Sequence, residues 1–288
     1  MAKHKSTKFK LLIFALFIST LLFWTSCFRG YQMTDSDVTT YYQAKRYKPH
    51  FKTYKVDNRT IHYAEVGNDS LPLLLFIHGA PGAWYGYIQL LDDSMLQSKF
   101  HMISVDRAGY GKSGYGLVEK SIEKQAQYLQ PIVDSNLHKA IYVVGRSFGA
   151  PVAAALAANN SNNIKSLLLL GADLDPDKER FWWFSFFGRL TVIRWLLPNS
   201  MNVATDEKYS RCAELKKMIP YWSKITMPTT LMHGADDWMV DTSNINFAKK
   251  MLTNAPLRTF ILPATGHVVS SERPDLLKKE IFYYLAKK

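Results

Sequence analysis

The chain has few cysteines and no cluster of metal-ligating residue types. Only two of its 288 residues are cysteines, Cys27 and Cys212, and they lie far apart in the sequence. Such a pair suggests neither a disulfide framework nor a zinc site. We therefore expect no metal, and the chemistry inferred below requires no other cofactor. Cys212 is interpreted as a structural or free thiol.

The sequence also lacks an arginine-rich stripe, although its formal net charge is +12. Four lysines fall within the first ten residues, and a second basic cluster lies at residues 45–55. The other basic residues are scattered and form no known nucleic-acid module. This distribution argues against nucleic-acid binding, and the N-terminal charge is interpreted as membrane-related. Internal repeats and low-complexity tracts are absent as well.

A basic start followed by an apolar run is typical of a segment that meets a membrane. Lysines precede residues 11–28, which are almost wholly apolar. Eighteen helical residues would span ~27 Å, just short of a bilayer core. Residues 1–28 are therefore predicted to be a cleaved signal peptide, an uncleaved anchor or a lipoprotein signal. Each alternative predicts an exported protein, and we favour one held at the membrane of the cell envelope.

Cys27 favours the lipoprotein alternative. Thr25-Ser26-Cys27 places small residues before a cysteine and resembles the bacterial lipobox, in which that cysteine is lipidated. Trp24 departs from the pattern, because a small aliphatic residue is usual there. The uncleaved anchor therefore stays open. Residues 29–50 show no clear periodicity and are interpreted as a tether.

Residues 51–288 are predicted to form one large domain, since about 240 residues with 47% hydrophobic content can bury a sizeable core. Strand patterns lie at residues 52–56, 60–66, 73–77, 101–105, 141–144, 166–170, 229–232 and 258–262. Helix patterns include residues 122–133 and 274–286. This alternation predicts an α/β fold with a mostly parallel, eight-stranded sheet covered by helices.

Residues 173–227 interrupt the alternation and are unusually aromatic. Phe181-Trp182-Trp183-Phe184 and Phe186-Phe187 precede a helical pattern at residues 189–197. We predict a small helical cap over the carboxyl edge of the sheet. Two interpretations of the aromatic side chains stay open, namely packing against the core and lining of an apolar substrate pocket.

Gly145-Arg146-Ser147-Phe148-Gly149 stands between a strand pattern and the alanine-rich run at residues 150–158. A serine on a sharp strand-to-helix turn has a strained backbone and an exposed hydroxyl. A Cβ at either flanking glycine would crowd the neighbouring strand or helix. The Phe148 N–H would then point into the site, where it can stabilise an oxyanion.

Four motifs in this order resemble the α/β-hydrolase family, and the resemblance covers about residues 50–288. The motifs are His78-Gly79-Ala80-Pro81-Gly82, the segment from Asp106 to Ser113, the serine turn, and Gly234-Ala235-Asp236-Asp237 with Gly266-His267. The end of the second motif, Gly111-Lys112-Ser113, mimics a phosphate-binding loop. It lacks the glycine required five residues earlier, so it is interpreted as a structural turn.

The resemblance implies a catalytic triad in the chain order serine, acid, histidine. Ser147 would be the nucleophile, His267 the general base, and Asp237 the acid that orients the histidine. The alternative acids are Asp236, Asp173 and Asp175. The N–H groups of Ala80 and Phe148 would form the oxyanion hole, since Pro81 has no N–H to donate.

A serine nucleophile in this family implies acyl transfer to water. Epoxide hydrolases and haloalkane dehalogenases carry an aspartate at the turn, so Ser147 argues against both. We predict a serine hydrolase whose small-molecule substrate is a small or apolar carboxylic ester. The alternatives are an aminopeptidase like the proline iminopeptidases, a C–C bond hydrolase, and a non-catalytic binding protein. Arg146 either pairs with the scaffold or binds a substrate anion.

Overall fold

The computed structural model of the chain describes residue 19 and residues 32–45, 47–181 and 183–287. The predicted signal or anchor segment is outside the described residues except for residue 19, and so is the candidate lipidation site Cys27. Within the described ranges, no helix has the length and apolar character needed to cross a membrane.

An eight-stranded sheet forms the centre of the fold. Its strands are β1 (His50–Val56), β2 (Arg59–Val66), β3 (Leu73–Ile77), β4 (His101–Val105), β5 (Ile141–Arg146), β6 (Ile164–Leu170), β7 (Thr229–Gly234) and β8 (Leu257–Leu262). Their spatial order is β1-β2-β4-β3-β5-β6-β7-β8. The pairs β1–β2 and β2–β4 are antiparallel, and the pairs from β4 to β8 are parallel. The predicted mostly parallel sheet is confirmed.

Helices cover the sheet as predicted. They are α1 (Asp35–Tyr42), α2 (Ile88–Leu91), α3 (Ser94–Gln97), α4 (Ile122–Asp134), α5 (Gly149–Asn159), α6 (Thr191–Leu196), α7 (Asn199–Lys217), α8 (Ile219–Trp222), α9 (Asn244–Met251), α10 (Val269–Glu272) and α11 (Pro274–Ala286), with 3₁₀ turns at Trp84–Tyr87 and Trp183–Arg189. α5 is buried over almost its whole length, because its alanines let it lie close to the sheet.

The strand order brings the loops of interest to one edge. β3, β5, β6, β7 and β8 are consecutive neighbours in the sheet and run parallel. Their carboxyl ends therefore lie at the same edge, which is where ligands bind in open α/β sheets. The loops that follow these strands carry the predicted oxyanion, nucleophile, acid and base positions.

A short helix lies inside the predicted tether. The Thr34 hydroxyl accepts the Asp37 N–H and the Asp37 carboxylate accepts the Thr34 N–H, so a capping box starts α1. Tyr42 is 3% exposed and belongs to a core cluster on one face of the sheet. This helix was not predicted from the sequence, because it buries one residue and therefore has no apolar periodicity.

The predicted cap region, residues 173–227, contains α6, α7 and α8. α7 turns a stripe that includes Val203, Glu207 and Leu215 inward, where all three residues are buried. α6 buries none of its residues. In the cap, α7 and α8 therefore bury residues, with Trp222 buried in α8, whereas α6 and the 3₁₀ turn before it form an outer layer.

A buried ion pair attaches α7 to the sheet. Arg107, just after β4, is 1% exposed, and its Nη1 lies 2.7 Å from Glu207 Oε1. The Tyr110 hydroxyl and the Gln125 amide also donate to the Glu207 carboxylate, at 2.6 and 2.9 Å. Burial lowers the pKa of Arg107, but the charge of Glu207 raises it above its ordinary value, so the guanidinium stays charged.

We predict that Glu207→Gln lowers the free energy of unfolding by about 3 to 5 kcal/mol, because it leaves the Arg107 cation buried without its counter-ion. The matched control is Asp206→Asn on the same helix. Asp206 pairs with Arg194 near the surface, where such a pair contributes less than about 1 kcal/mol. Urea unfolding followed by circular dichroism measures both. Equal losses in the two variants would contradict this account of the cap attachment.

Candidate active site

Ser147 occupies a strained turn between β5 and α5. Its φ angle is 52°, in the left-handed region that non-glycine residues rarely adopt. Its N–H donates to the Leu170 carbonyl of the neighbouring strand at 2.9 Å, which fixes the turn against β6. The residue is 8% exposed. The conformation agrees with the strained turn predicted from the sequence, and such strain is typical of functional sites.

The two glycines around Ser147 are required by close approaches. A Cβ on Gly145 would lie 2.6 Å from the Ala153 Cβ of α5. A Cβ on Gly149 would lie 2.3 Å from the carbonyl oxygen of His78. Both distances are shorter than van der Waals contact allows, so the predicted steric reason for the glycines is confirmed. Gly149 also lets α5 lie directly against the loop after β3.

Asp237 and His267 form a hydrogen-bonded pair beyond the ends of β7 and β8. The His267 Nδ1 lies 2.8 Å from Asp237 Oδ2. A second histidine, His233 at the end of β7, has its Nε2 at 3.1 Å from the same oxygen. The N–H groups of Met239 and Val240 both donate to Asp237 Oδ1 at 2.9 Å. Each carboxylate oxygen therefore has two polar neighbours.

These contacts control the ionisation of Asp237. Burial raises its pKa, but the hydrogen bonds from His233, His267 and the N–H of Val240 together lower the pKa by more than burial raises it. The pKa of Asp237 is therefore held well below its ordinary value. A carboxylate that stays charged near neutral pH keeps a hydrogen on His267 Nδ1 and leaves Nε2 free to accept a proton.

The alternative acids have other partners. Asp236 is exposed, and its backbone N–H donates to the Thr265 carbonyl. Asp173 forms a buried ion pair with Arg211 of α7. The backbone N–H of Asp175 donates to the Asn244 side chain. The structure therefore joins His267 to the acid that the sequence favoured.

Gly171 lies between the serine turn and the histidine loop. It directly follows Leu170, whose carbonyl holds the Ser147 N–H. A Cβ on Gly171 would lie 2.9 Å from the carbonyl oxygen of His267 and 3.3 Å from its Nδ1. The absent side chain thus lets His267 pack on the backbone at the end of β6, next to Ser147.

The predicted oxyanion loop passes against Ser147. A Cβ on Gly79 would lie 2.9 Å from the Ser147 Cβ and 3.5 Å from its Oγ. Ala80, the predicted N–H donor, is the next residue, and Phe148 starts α5 on the other side of the serine. Ala80 therefore follows a residue that contacts Ser147, and Phe148 follows Ser147 itself, so both predicted donors lie near the hydroxyl.

Arg107 holds the oxyanion loop in place. Its guanidinium donates to the carbonyl oxygens of His78 at 2.8 Å and Gly79 at 3.1 Å. Its backbone N–H donates to His78 Nε2 at 3.0 Å, so His78 Nδ1 carries the hydrogen that bonds Gly79 O. Burial and then the charge of Arg107 lower the pKa of His78 well below its ordinary value, which keeps this imidazole neutral.

Phe148 is also held by cations from two parts of the fold. Its ring is buried, with the guanidinium carbon of Arg107 at 5.0 Å and that of Arg211 at 5.2 Å from its centroid. From the sequence the Arg107 motif was interpreted as scaffold, and Glu207, Arg211 and His233 were not predicted to contribute to the site. Asp106-Arg107 after β4 was the sequence feature that could have pointed to these contacts. The residues that Arg107 contacts are remote from it in sequence, so no local pattern identifies them.

Two further expectations concern residues outside the triad. Arg146 contacts Ser270, with 3.4 Å between Nη1 and Oγ, and lies over the Tyr87 ring, which agrees with the scaffold interpretation. The Asp106 carboxylate fills the turn after β4, where a Cβ on Gly111 would lie 2.1 Å from it. That turn is structural, as predicted.

Among the described residues, no three His, Cys, Asp or Glu side chains could hold a metal ion.

Two aromatic residues near the start of the cap are largely exposed. Phe181 and Phe186 are 52% and 60% exposed, and neither belongs to a core cluster. The side chains of residues 182–184 are outside the described part of the chain. Core packing therefore does not describe Phe181 or Phe186, and the lining of a substrate pocket by cap aromatics stays a prediction.

We predict that Asp237→Asn slows the reaction of Ser147 with a fluorophosphonate by roughly ten-thousandfold, because an amide can hold His267 in the wrong tautomer. Asp236→Asn is the matched control, since it makes the same chemical change at the adjacent exposed residue. Its labelling rate should equal that of the unchanged protein. Labelling rates measured by fluorescence in gels decide the matter, and a slow Asp236→Asn beside a fast Asp237→Asn would reverse the assignment.

Relatives of known name include several epoxide hydrolases. Epoxide hydrolase 1 of Caenorhabditis elegans is 24% identical over 81% of this chain and 69% of its own length. Epoxide hydrolase 3 of Xenopus tropicalis is 26% identical over 78% of this chain and 74% of its own length. Epoxide hydrolase B of Mycobacterium tuberculosis is 30% identical over 88 residues, which are 24% of that protein.

Solved structures share the fold over most of the chain. A membrane phospholipase A described as a bacterial virulence factor has a TM-score of 0.66 at 20% identity, covering 98% of both chains. The epoxide hydrolase CorEH has a TM-score of 0.64 at 17% identity, covering 83% of this chain and 99% of its own. A family profile described as alpha/beta hydrolase fold matches residues 72–213. The chain therefore belongs to the α/β-hydrolase fold family.

Proposed function

We propose that this hydrolase cleaves carboxylic esters through an acyl-enzyme on Ser147. One observation carries the proposal. Ser147 has left-handed backbone geometry and its N–H is held by Leu170, while His267, which is paired with Asp237, packs on the next residue, Gly171. A serine hydroxyl is a weak nucleophile by itself, so an adjacent base with an orienting acid is the arrangement that activates it.

In the proposed reaction, the Ser147 Oγ attacks the ester carbonyl carbon while His267 Nε2 takes the hydroxyl proton. Collapse of the tetrahedral intermediate breaks the C–O bond, and His267 returns the proton to the leaving alkoxide. Water then attacks the acyl-enzyme, with His267 again as base, and releases the carboxylic acid and free serine. Asp237 stabilises the imidazolium that forms in each half of the reaction.

The N–H groups of Ala80 and Phe148 are the proposed donors to the oxyanion. One such donor typically stabilises the transition state by ~3 kcal/mol, provided that it is fixed before the reaction starts. Arg107 supplies that fixation on one side, since it holds the carbonyls of His78 and Gly79 just before Ala80. On the other side, Phe148 is fixed by its buried ring.

Epoxide opening is the second candidate, because the curated relatives carry that name. Attack of a carboxylate on an epoxide gives an ester, which water can hydrolyse at its carbonyl. Attack of the Ser147 hydroxyl would instead give an alkyl ether, which has no carbonyl and would stay on the enzyme. The residue at the turn therefore favours acyl transfer over epoxide hydrolysis, as the sequence analysis predicted.

We also propose that the domain is exported and attached to a membrane through residues 1–28, with Cys27 as the lipidated residue. The support is the basic start, the apolar run and the small residues before the cysteine. The uncleaved anchor is the alternative form of the same attachment.

The ester proposal predicts that a fluorophosphonate labels the protein covalently and that Ser147→Ala abolishes labelling. Ser271→Ala, an exposed serine near the histidine loop, should label like the unchanged protein. Turnover is then compared on p-nitrophenyl esters of increasing chain length, proline naphthylamide and styrene oxide. We expect Ser147-dependent turnover of the esters. Turnover of the amide alone or of the epoxide alone would replace this proposal with the corresponding alternative.

The lipidation proposal predicts that cells expressing the full chain incorporate labelled palmitate into it. Cys27→Ala should lose the label, because the acylated sulfur is gone. Cys212→Ala should keep it, since Cys212 is a half-buried thiol within α7. Gel autoradiography measures the incorporation. Label that persists in Cys27→Ala would contradict lipidation at that residue.

A further inference from the structure

The outer layer of the cap exposes apolar side chains that follow one another along the chain from Phe186 to Leu196. Exposed residues are Phe186 at 60%, Leu190 at 40%, Val192 at 68%, Trp195 at 82% and Leu196 at 42%. α6 contributes no residue to the core. A soluble surface seldom carries so many large apolar side chains together, and such patches mark protein or membrane contacts.

The outer layer is held to α7 by polar and cationic contacts. Arg194 forms a two-pronged ion pair with Asp206, at 3.0 and 2.9 Å. The Arg189 guanidinium lies 4.8 Å from the ring centroid of Tyr209. α7 is thus sandwiched between the sheet, which it contacts through Glu207, and the outer layer. The exposed apolar residues belong to the layer that meets α7 through Asp206 and Tyr209, away from the Glu207 contact with Arg107.

The N-terminal chain arrives at the edge of this layer. The Gln32 amide donates to Ser200 Oγ at 2.6 Å and lies 3.3 Å from the Tyr115 hydroxyl. Ser200 is in the first turn of α7, directly after α6. The apolar run at residues 11–28 ends four residues before Gln32, and four residues reach at most ~14 Å. A bilayer that holds this run, or a lipid attached to Cys27 near its end, must therefore lie close to the outer layer.

The charge of the outer layer suits a phospholipid surface. Residues 183–196 contain no aspartate or glutamate. Arg194 is paired with Asp206, so the cation that this layer can offer to a headgroup is Arg189, which lies over the Tyr209 ring. Phospholipid headgroups attract arginine, and tryptophan and phenylalanine favour the boundary between headgroups and acyl chains. The composition is thus apolar with basic residues, as in elements that lie in the membrane interface.

We propose that the outer layer of the cap docks on the surface of the lipid bilayer that holds the N-terminal segment. The segment itself is a poorer occupant, because its run is apolar on all sides. Laid on the cap, it would cover the outer layer with one side and expose the other to water. A bilayer covers both the run and the cap. This inference rests on the membrane attachment proposed above and does not depend on the proposed reaction.

The test uses the full chain in proteoliposomes of phosphatidylethanolamine and phosphatidylglycerol with brominated acyl chains. An environment-sensitive NBD fluorophore is attached at Val192→Cys. The control is Leu137→Cys, an apolar position of 50% exposure just before β5, at the opposite edge of the sheet. The unchanged protein, labelled in the same way, gives the background from Cys27 and Cys212, and thermal melts verify that both variants fold.

We expect emission from position 192 to move to shorter wavelength and to lose about half its intensity to the brominated lipid, because interfacial elements lie at the acyl boundary. Emission from position 137 should remain that of a water-exposed fluorophore. Equal behaviour at the two positions would overturn the proposal. A shift at position 192 without quenching would also overturn it, since protein rather than lipid would then cover the cap.

Discussion

The charge on Arg107 is the constraint on which the site and its cap both depend. A guanidinium cannot lie in a core without partners, because the desolvation of an unpaired ion costs several kcal/mol. Here its partners are the carbonyls of the loop after β3 and the Glu207 carboxylate of α7. One buried cation therefore couples the geometry of the proposed oxyanion loop to the seating of the cap helix.

The second constraint is the room that missing side chains provide. Gly145 and Gly149 let α5 approach the sheet and the loop after β3, and Gly171 lets His267 lie beside the end of β6. At Gly234 a Cβ would lie 2.1 Å from the Gly266 carbonyl, so the acid and histidine loops meet backbone to backbone. Parallel strands bring these loops to one edge, and the glycines allow them to touch.

Periodicity and motif spacing could predict the parts of the molecule that depend on local sequence. The bounds of β3, β4 and α11 match the sequence patterns, and the spacing after β7 distinguished Asp237 from Asp236. Contacts between remote positions could not be predicted. Glu207 lies 100 residues from Arg107, so no local pattern relates them. The exposure of Phe186 could not be predicted either, because the identity of an aromatic residue does not show whether its side chain faces the core or water.

The fold does not choose the reaction, since an epoxide hydrolase and a phospholipase share it with this chain. The choice rests on the residue at the strained turn, and the central claim is that Ser147 carries the acyl group. The most direct measurement is mass spectrometry of peptides after rapid acid quench during turnover of a p-nitrophenyl ester. The account predicts an acyl adduct on the peptide containing Ser147, at the oxygen of that serine. Turnover with no adduct there, or with an adduct on another residue, would contradict it.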